Sequence, residues 1–229
     1  MIDPTAPLPD VLYRVLPGAQ AVMNHRTTSD ADRWKKLLAD RGLSVPPTFA
    51  VNSGRFRLSR AEVFALGAGQ PSPEAALPLL LVSMAWGLGL RAPRLKARLD
   101  AIERDPHGTA ERLTEAWESV RASADPKDAY RILTTERGAG RISMLGPAFA
   151  TKFLYFAQGP EAHPHLLILD NVVATKLRPF AWPHSPTEGW WPETFARYCT
   201  LMDNGAREAT NRAEHLVRPD EIEYTVFRS

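Results

Sequence analysis

Repeated helix-start signals are the feature that most constrains the fold of this chain. Ser59-Arg60-Ala61-Glu62 has the form of a capping box, in which a serine and a glutamate satisfy free backbone N–H groups of the first turn. Ser72-Pro73-Glu74 combines a cap, a proline at the first helical position and an acid at the positive end of the helix dipole. Asp125-Pro126 begins in the same way. Few segments alternate apolar and polar residues as strands do, so the sequence predicts a mainly α-helical fold.

The predicted helices start at such signals and end near glycines or at a change of pattern. Ser29 precedes a helix that ends near Gly42, and a final short helix starts at Arg218-Pro219-Asp220. Phe49 to Leu58 is predicted to be extended, and the segment Phe180 to Pro192, rich in proline and tryptophan, to be a structured loop. The other predicted helices start at Ser59 and Ser72 and run from Pro93 to Arg104, Thr109 to Ala122, Asp125 to Arg137 and Pro192 to Ala213.

Length and composition are those of an ordinary globular protein. A chain of 229 residues with 44% hydrophobic and 24% charged residues can bury a substantial core. It shows no internal repeat and no clear linker. We therefore expect one unit over residues 1–229, with an N-terminal lobe of about residues 1–124 and a second lobe of about residues 125–229.

Several classes of protein are disfavoured. The N-terminus lacks a basic and an apolar region, so it does not read as a signal peptide. The longest apolar run, Ala75 to Leu90, is too short to span a membrane and is predicted to be a buried helix. Cys199 is the only cysteine, so an internal disulfide is excluded and a cysteine zinc site is disfavoured. We expect a cytoplasmic monomer with no membrane partner, no cofactor and no metal. The histidines flanked by prolines are read as loop residues, namely His163, His165 and His184.

Lys152 is the first candidate for chemistry. It lies three residues after Phe149 and four before Phe156, so all three share one apolar helix face. Burial disfavours the ammonium form of a lysine, and a nearby helix N-terminus repels the same charge. A neutral amine is a competent nucleophile, so this placement favours covalent catalysis over a solvated surface lysine.

Asp170 is the second candidate. It ends the apolar run Leu166-Leu167-Ile168-Leu169 and precedes Asn171-Val172-Val173, which is a helix N-cap position. A carboxylate that accepts backbone N–H bonds stays ionised, so capping and catalysis are compatible roles. Before Lys152, the backbone between Leu145 and Ala150, predicted to form a hairpin, would present N–H groups to phosphate. Arg131, Arg137 and Arg141 add positive charge just before it.

The stretch from about Asp125 to Lys176 resembles the 8-oxoguanine DNA glycosylase-like branch of the helix-hairpin-helix superfamily, which includes bacterial proteins. The run Ala148-Phe149-Ala150-Thr151-Lys152 occupies the place of the family's Gly-x-Gly-x-Lys, with alanines for both glycines. Gly146-Pro147-Ala148 offers a second hairpin register. Trp86-Gly87-Leu88-Gly89 and the segment 223–227 resemble further parts of that branch.

The resemblance implies a two-lobed helical helix-hairpin-helix DNA glycosylase fold, with double-stranded DNA as partner and the site between the lobes. Lys152 would attack C1′ of a nucleotide and form a Schiff base, and Asp170 would assist. The residues expected to contact the DNA backbone are Arg141, Gly146, Ala148 and Ala150. The expected base pocket consists of Trp86, Gly87, Phe156, Trp190 and Trp191, because an extruded base needs aromatic faces and the space that a glycine leaves. Core or lid packing is the alternative for each aromatic residue.

Three functions remain open from the sequence. The leading hypothesis is a DNA glycosylase with AP lyase activity that removes 8-oxoguanine in DNA repair. The second is an antiviral defence glycosylase that removes glucosylated hydroxymethylcytosine from phage DNA. The third is a non-catalytic helix-hairpin-helix DNA-binding module, which has no need of an amine on an apolar helix face.

Overall fold

The computed structural model describes residues 2–123, 125–160, 163–184, 186, 188–213 and 215–229. Within these residues the chain forms thirteen helices and one antiparallel sheet of two strands, so the predicted mainly helical fold is confirmed. In chain order the elements are α1 (Asp10–Tyr13), α2 (Ala19–Met23), β1 (Arg26–Asp30), α3 (Ala31–Ala39), α4 (Pro47–Ala50), β2 (Arg55–Ser59), α5 (Arg60–Gly67), α6 (Pro73–Leu88), α7 (Leu95–Arg104), α8 (Pro106–Ala122), α9 (Pro126–Leu133), α10 (Pro147–Ala157), α11 (Asn171–Leu177), α12 (Pro192–Arg212) and α13 (Pro219–Arg228).

The capping signals lie where the sequence predicts them. Ser59 and Glu62 form a reciprocal capping box at the start of α5, with the Ser59 N–H donating to Glu62 Oε2 at 2.7 Å. Ser72 caps α6, Asp125 caps α9, and Asp170 caps α11 through their side chains. Each cap satisfies N–H groups that the first turn of a helix leaves free.

Some predicted boundaries are wrong for local reasons. The helix expected after Ser29 begins after Asp30, because Ser29 belongs to β1. Phe49 lies in α4, and the extended segment is confined to β2. The helix that starts at Asp125 ends at Leu133, because Thr134 leaves it to form an isolated bridge with Gly140. Two other helices start elsewhere than predicted, α7 at Leu95 and α8 at Pro106.

Helices α6 and α10 form the centre of the structure. Helix α6 is apolar on nearly all sides and packs against α5, α8 and α10, as expected of a core helix. Helix α10 is buried from Ala150 to Ala157 and also contacts α5, α8 and α9. The core therefore holds α10, and with it Lys152, on several sides.

Among the described residues, no helix combines the length and the hydropathy needed to cross a membrane.

Helices α5 and α10 approach each other at a glycine. A Cβ atom placed on Gly67 would lie 1.8 Å from the carbonyl oxygen of Phe156. That oxygen belongs to helix backbone, which cannot move without shifting α10. The absence of a side chain at Gly67 therefore sets how closely the two helices pack.

We predict that Gly67→Ala lowers the free energy of unfolding by about 2–3 kcal/mol, because the added methyl group overpacks a backbone contact. Urea denaturation followed by circular dichroism measures the change. Gly69→Ala is the control, since the nearest atom to a Cβ there lies at an ordinary 3.5 Å. Equal stability of both variants would contradict the prediction.

Candidate active site

Lys152 and Asp170 meet in the folded chain. Lys152 lies on the second turn of α10, and its side chain is only 8% exposed. Its Nζ donates a hydrogen bond to Asp170 Oδ2 at 3.0 Å, and the Asp170 side chain is 21% exposed. The structure thus brings the two predicted residues together as a largely buried ion pair.

The two carboxylate oxygens of Asp170 have separate partners. Oδ1 accepts the N–H groups of Val172 and Val173, at 3.0 and 3.2 Å, and so caps α11. Oδ2 accepts from Lys152. The cap fixes the orientation of the carboxylate, and the fixed carboxylate holds the amine.

Helix α10 itself positions the segment that leads to Asp170. Thr151 Oγ1 donates to the Leu169 carbonyl oxygen at 2.9 Å and accepts the Leu169 N–H at 3.2 Å. Near the other end of the helix, Gln158 bonds to the backbone of His165 and Leu166. These bonds align the buried segment 165–169 along α10, which places Asp170 beside Lys152.

The electrostatics of the pair keep Asp170 ionised. Burial raises the pKa of Asp170, but the Lys152 ammonium and the two backbone N–H groups outweigh it, so the pKa lies below its usual value. Lys152 shares a helix face with apolar residues, but in the folded chain its amine has a carboxylate partner at 3.0 Å.

The alkyl stem of Lys152 passes over Gly87, near the end of α6. A Cβ atom on Gly87 would lie 2.8 Å from Lys152 Cδ and 2.9 Å from Cε. Gly87 was predicted to make room for a base. Its space is filled by the lysine stem, so this glycine sets the path of the amine toward Asp170.

A cavity of about 110 Å³ adjoins the ion pair. Its walls come from both halves of the chain, and Lys152 and Asp170 stand at one side. Among the described residues, no group of three histidine, cysteine, aspartate or glutamate side chains could hold a metal ion. The lining residues are His25, Thr27, Arg60, Trp86, Gly87, Lys152, Ile168, Asp170, Glu223 and Phe227.

A second ion pair, between Arg60 and Glu223, lies at the wall of this cavity. Arg60 Nη1 is 2.9 Å from Glu223 Oε2, and both side chains are 1% exposed. The guanidinium stands about 5 Å from the ring centres of Trp86, Tyr155 and Tyr224. Burial raises the pKa of Glu223, and Arg60 opposes that shift only in part. This pair connects α5 to α13 at the cavity wall.

The hairpin groove lies at the start of α10. Gly146 is the N-cap of α10, so the tight turn precedes Pro147 and matches the register that starts at Gly146. This groove of about 360 Å³ is lined by residues that include Arg94, Arg98, Gly146 and Ala148. Arg141 precedes Gly146 closely in the sequence, and its side chain is exposed.

A family model described as "Putative 8-oxoguanine DNA glycosylase OGG-like protein" matches residues 20–227. The chain belongs to this OGG-like family. No curated protein and no solved structure matches the chain. The family match points to a DNA glycosylase and leaves the base and the catalytic residues unassigned.

The OGG-like chain places some predicted site residues away from the Lys152 cavity. Trp86 and Gly87 line it, whereas Phe156 is fully buried and packs edge-on against Trp86. Trp190 lines the hairpin groove instead, with its indole N–H bonded to the Pro186 carbonyl oxygen. Trp191 is 57% exposed. Neither tryptophan lines the Lys152 cavity.

Ala150 also differs from the prediction. It lies inside α10, is 7% exposed, and donates its N–H to the Gly146 carbonyl oxygen. Its N–H is thus used within the helix and is not offered to phosphate. Ala148, in the first turn, has no hydrogen-bond partner for its N–H among the described residues.

Sequence reasoning missed six of the residues that line this cavity, Thr27 and Ile168 among them. His25, Arg60, Glu223 and Phe227 come from α5, α13 and the segment before β1. The 223–227 segment was noted only as a family-like stretch. No local pattern distinguishes these residues from surface or core positions, because their pairing spans most of the chain.

We predict that Gly87→Ala moves the Lys152 amine away from Asp170 and raises the Asp170 pKa toward its usual value. The methyl group meets only a flexible side chain, so the fold should be retained, and helix propensity should add up to about 1 kcal/mol. Carboxyl chemical shifts followed through a pH titration by NMR measure the pKa. An unchanged Asp170 pKa would show that the stem reroutes without loss of the ion pair.

We further predict that Asp170 contributes stability that is lost in acid. Its folded pKa is depressed, so the contribution is fully present above the unfolded value near 4 and disappears as the pH falls through the folded pKa. Asp170→Asn should cost roughly 1–3 kcal/mol at pH 7, because it leaves the Lys152 charge unpaired. Denaturation at several pH values should show the gap to wild type closing below about pH 4. Asp30→Asn is the matched control, because Asp30 caps α3 but pairs with no described lysine or arginine side chain.

Proposed function

We propose that this protein is a DNA glycosylase with AP lyase activity that excises 8-oxoguanine, with Lys152 as the nucleophile. The observation that carries the proposal is a buried lysine amine 3.0 Å from a capped aspartate at the side of a cavity. Covalent catalysis needs a nucleophile and a proton acceptor that lie within hydrogen-bond distance of each other. Membership of the OGG-like family supports the reaction class, and the sequence resemblance supports the base.

The first step must free the amine. Lys152 gives its proton to Asp170, across the hydrogen bond that already joins them, and the proton then passes to the departing base. The neutral amine forms a bond to C1′ as the bond from C1′ to the base nitrogen breaks. The base leaves with that electron pair and takes up the proton. Asp170 is again a carboxylate and can stabilise positive charge at the sugar.

The lyase step follows from the new C1′–nitrogen bond. The C1′–O4′ bond opens, a proton from the nitrogen goes to O4′, and a protonated Schiff base to Lys152 remains. Removal of a C2′ proton then breaks the C3′–O bond and cuts the strand. Borohydride reduces the Schiff base, so the protein–DNA bond becomes permanent and measurable.

Double-stranded DNA is the proposed partner. The hairpin groove offers the free N–H of Ala148 at the N-terminus of α10, and Arg94 and Arg98 lie in the same groove. Helix N-termini and arginines are suited to backbone phosphates, which set position without reading sequence. Arg141 is exposed and precedes Gly146 closely in the sequence, so we propose that it adds positive charge to the same surface.

The size of the cavity bears on the choice of substrate. Its volume of about 110 Å³ lies below the roughly 300 Å³ at which pockets for drug-sized ligands begin. A base that carries a hexose needs more space than an unsubstituted base. The cavity therefore favours 8-oxoguanine over glucosylated hydroxymethylcytosine. A non-catalytic module is disfavoured because it gains nothing from a buried amine paired at a cavity.

We predict that Lys152 forms the covalent link to DNA. Borohydride should trap wild-type protein on a duplex with 8-oxoguanine opposite cytosine, and on a duplex with an abasic site. Lys152→Gln should abolish trapping and strand cleavage while the melting temperature stays within a few degrees, since glutamine keeps most of the stem and removes the nucleophile.

Asp170→Asn is the companion variant. Asparagine can still cap α11, so DNA binding should persist while excision falls by about 100-fold or more, because the carboxylate charge is lost. Phage DNA with glucosylated hydroxymethylcytosine completes the panel. Trapping on that DNA alone would favour the antiviral defence function over DNA repair. Excision by wild type without any trapping would remove Lys152 as nucleophile in favour of an activated water. DNA binding without excision of any base would favour the non-catalytic module.

A further inference from the structure

His25 lies in the wall of the Lys152 cavity, between α2 and β1. Its backbone carbonyl oxygen accepts the N–H of Arg60 at 3.0 Å and the indole N–H of Trp86 at 3.5 Å. Arg60 and Trp86 line the same cavity. The position of His25 is therefore set by the helices that build the cavity.

The imidazole of His25 is surrounded by aromatic rings but has an unused nitrogen. Its ring centre lies 5.3 Å from Trp86, 4.9 Å from Tyr224 and 6.1 Å from Phe227. Nδ1 is shielded from solvent and has no hydrogen-bond partner among the residues that the structure describes. Buried polar atoms are nearly always paired, and each exception calls for an explanation. Because His25 lines the cavity, a ligand bound there can supply a hydrogen-bond partner to the imidazole.

The ring is uncharged at neutral pH. Burial, and then the positive charges of Arg60 and Arg228, lower the pKa of His25 to about 4. A neutral imidazole has one N–H donor and one acceptor nitrogen. It can therefore hydrogen-bond to an uncharged polar group without adding a charge beside the two ion pairs of the cavity.

We infer that His25 binds the extruded base by a hydrogen bond to the polar edge of that base, beside the rings of Trp86 and Phe227. The inference rests on the proposed function, because it needs a nucleotide delivered to the Lys152 cavity. The ligand class is an uncharged nucleobase with donors and acceptors on its edge, such as 8-oxoguanine. His25 acts here on the base and not on C1′, which Lys152 attacks.

Abasic DNA separates these two roles, because it reacts with Lys152 and has no base to bind. The experiment measures single-turnover excision on the 8-oxoguanine duplex and borohydride trapping on the abasic duplex. His25→Phe keeps the aromatic packing and removes the hydrogen-bonding nitrogens. His25→Gln restores a donor and an acceptor. We expect His25→Phe to lose about tenfold or more in excision, to trap abasic DNA as wild type does, and to melt no lower. His25→Gln should recover part of the excision.

Two results would overturn the inference. Unchanged excision by His25→Phe would show that the base does not use the imidazole. Equal loss of excision and abasic trapping in a folded variant would show that His25 acts on the lysine or on packing instead. If His25→Phe does not fold, His25→Leu is compared with His25→Gln in the same two assays. Absence of trapping by wild type on both duplexes is the separate failure of the proposed function.

Discussion

The ion pair between Lys152 and Asp170 is the interaction on which the site depends. It joins the second turn of α10 to the N-cap of α11, at a nitrogen–oxygen distance of 3.0 Å. A largely buried pair adds less net stability than its short distance suggests, because the loss of hydration of both charges offsets part of their attraction. Apolar side chains of similar size would hold these helices as well. The pair at a cavity is therefore better explained by chemistry than by folding.

The surroundings of the pair restrict both partners. Thr151 and Gln158 align the segment before Asp170 along α10, and Gly87 leaves a path for the lysine stem. Gly67 lets α5 pack against the backbone of α10, so the helix that bears Lys152 cannot shift freely. Groups held in place on a rigid helix approach a substrate with a smaller loss of freedom than groups on a loop.

The sequence predicted those parts of the site that have local signals. The Lys152 helix and the Asp170 cap were found because each follows from residues within one or two turns. Arg60 and Glu223 were missed, since they are 163 positions apart and an arginine at a helix start is usually solvated. Trp190 and Trp191 do not line the Lys152 cavity. The sequence shows only that aromatic rings are present, and the long-range packing decides which cavity each ring faces.

The two ion pairs of the cavity, one of Lys152 with Asp170 and one of Arg60 with Glu223, cancel in charge while the free protein rests. His25 adds none, because its pKa lies near 4. In the proposed reaction, departure of the lysine proton with the base leaves these groups with one negative charge. That surplus lies on Asp170, close to where the sugar becomes positive, in a small cavity where little water screens it. In that reaction, transfer of the lysine proton to Asp170 frees the nucleophile, and its onward transfer to the base restores the Asp170 charge that favours bond cleavage.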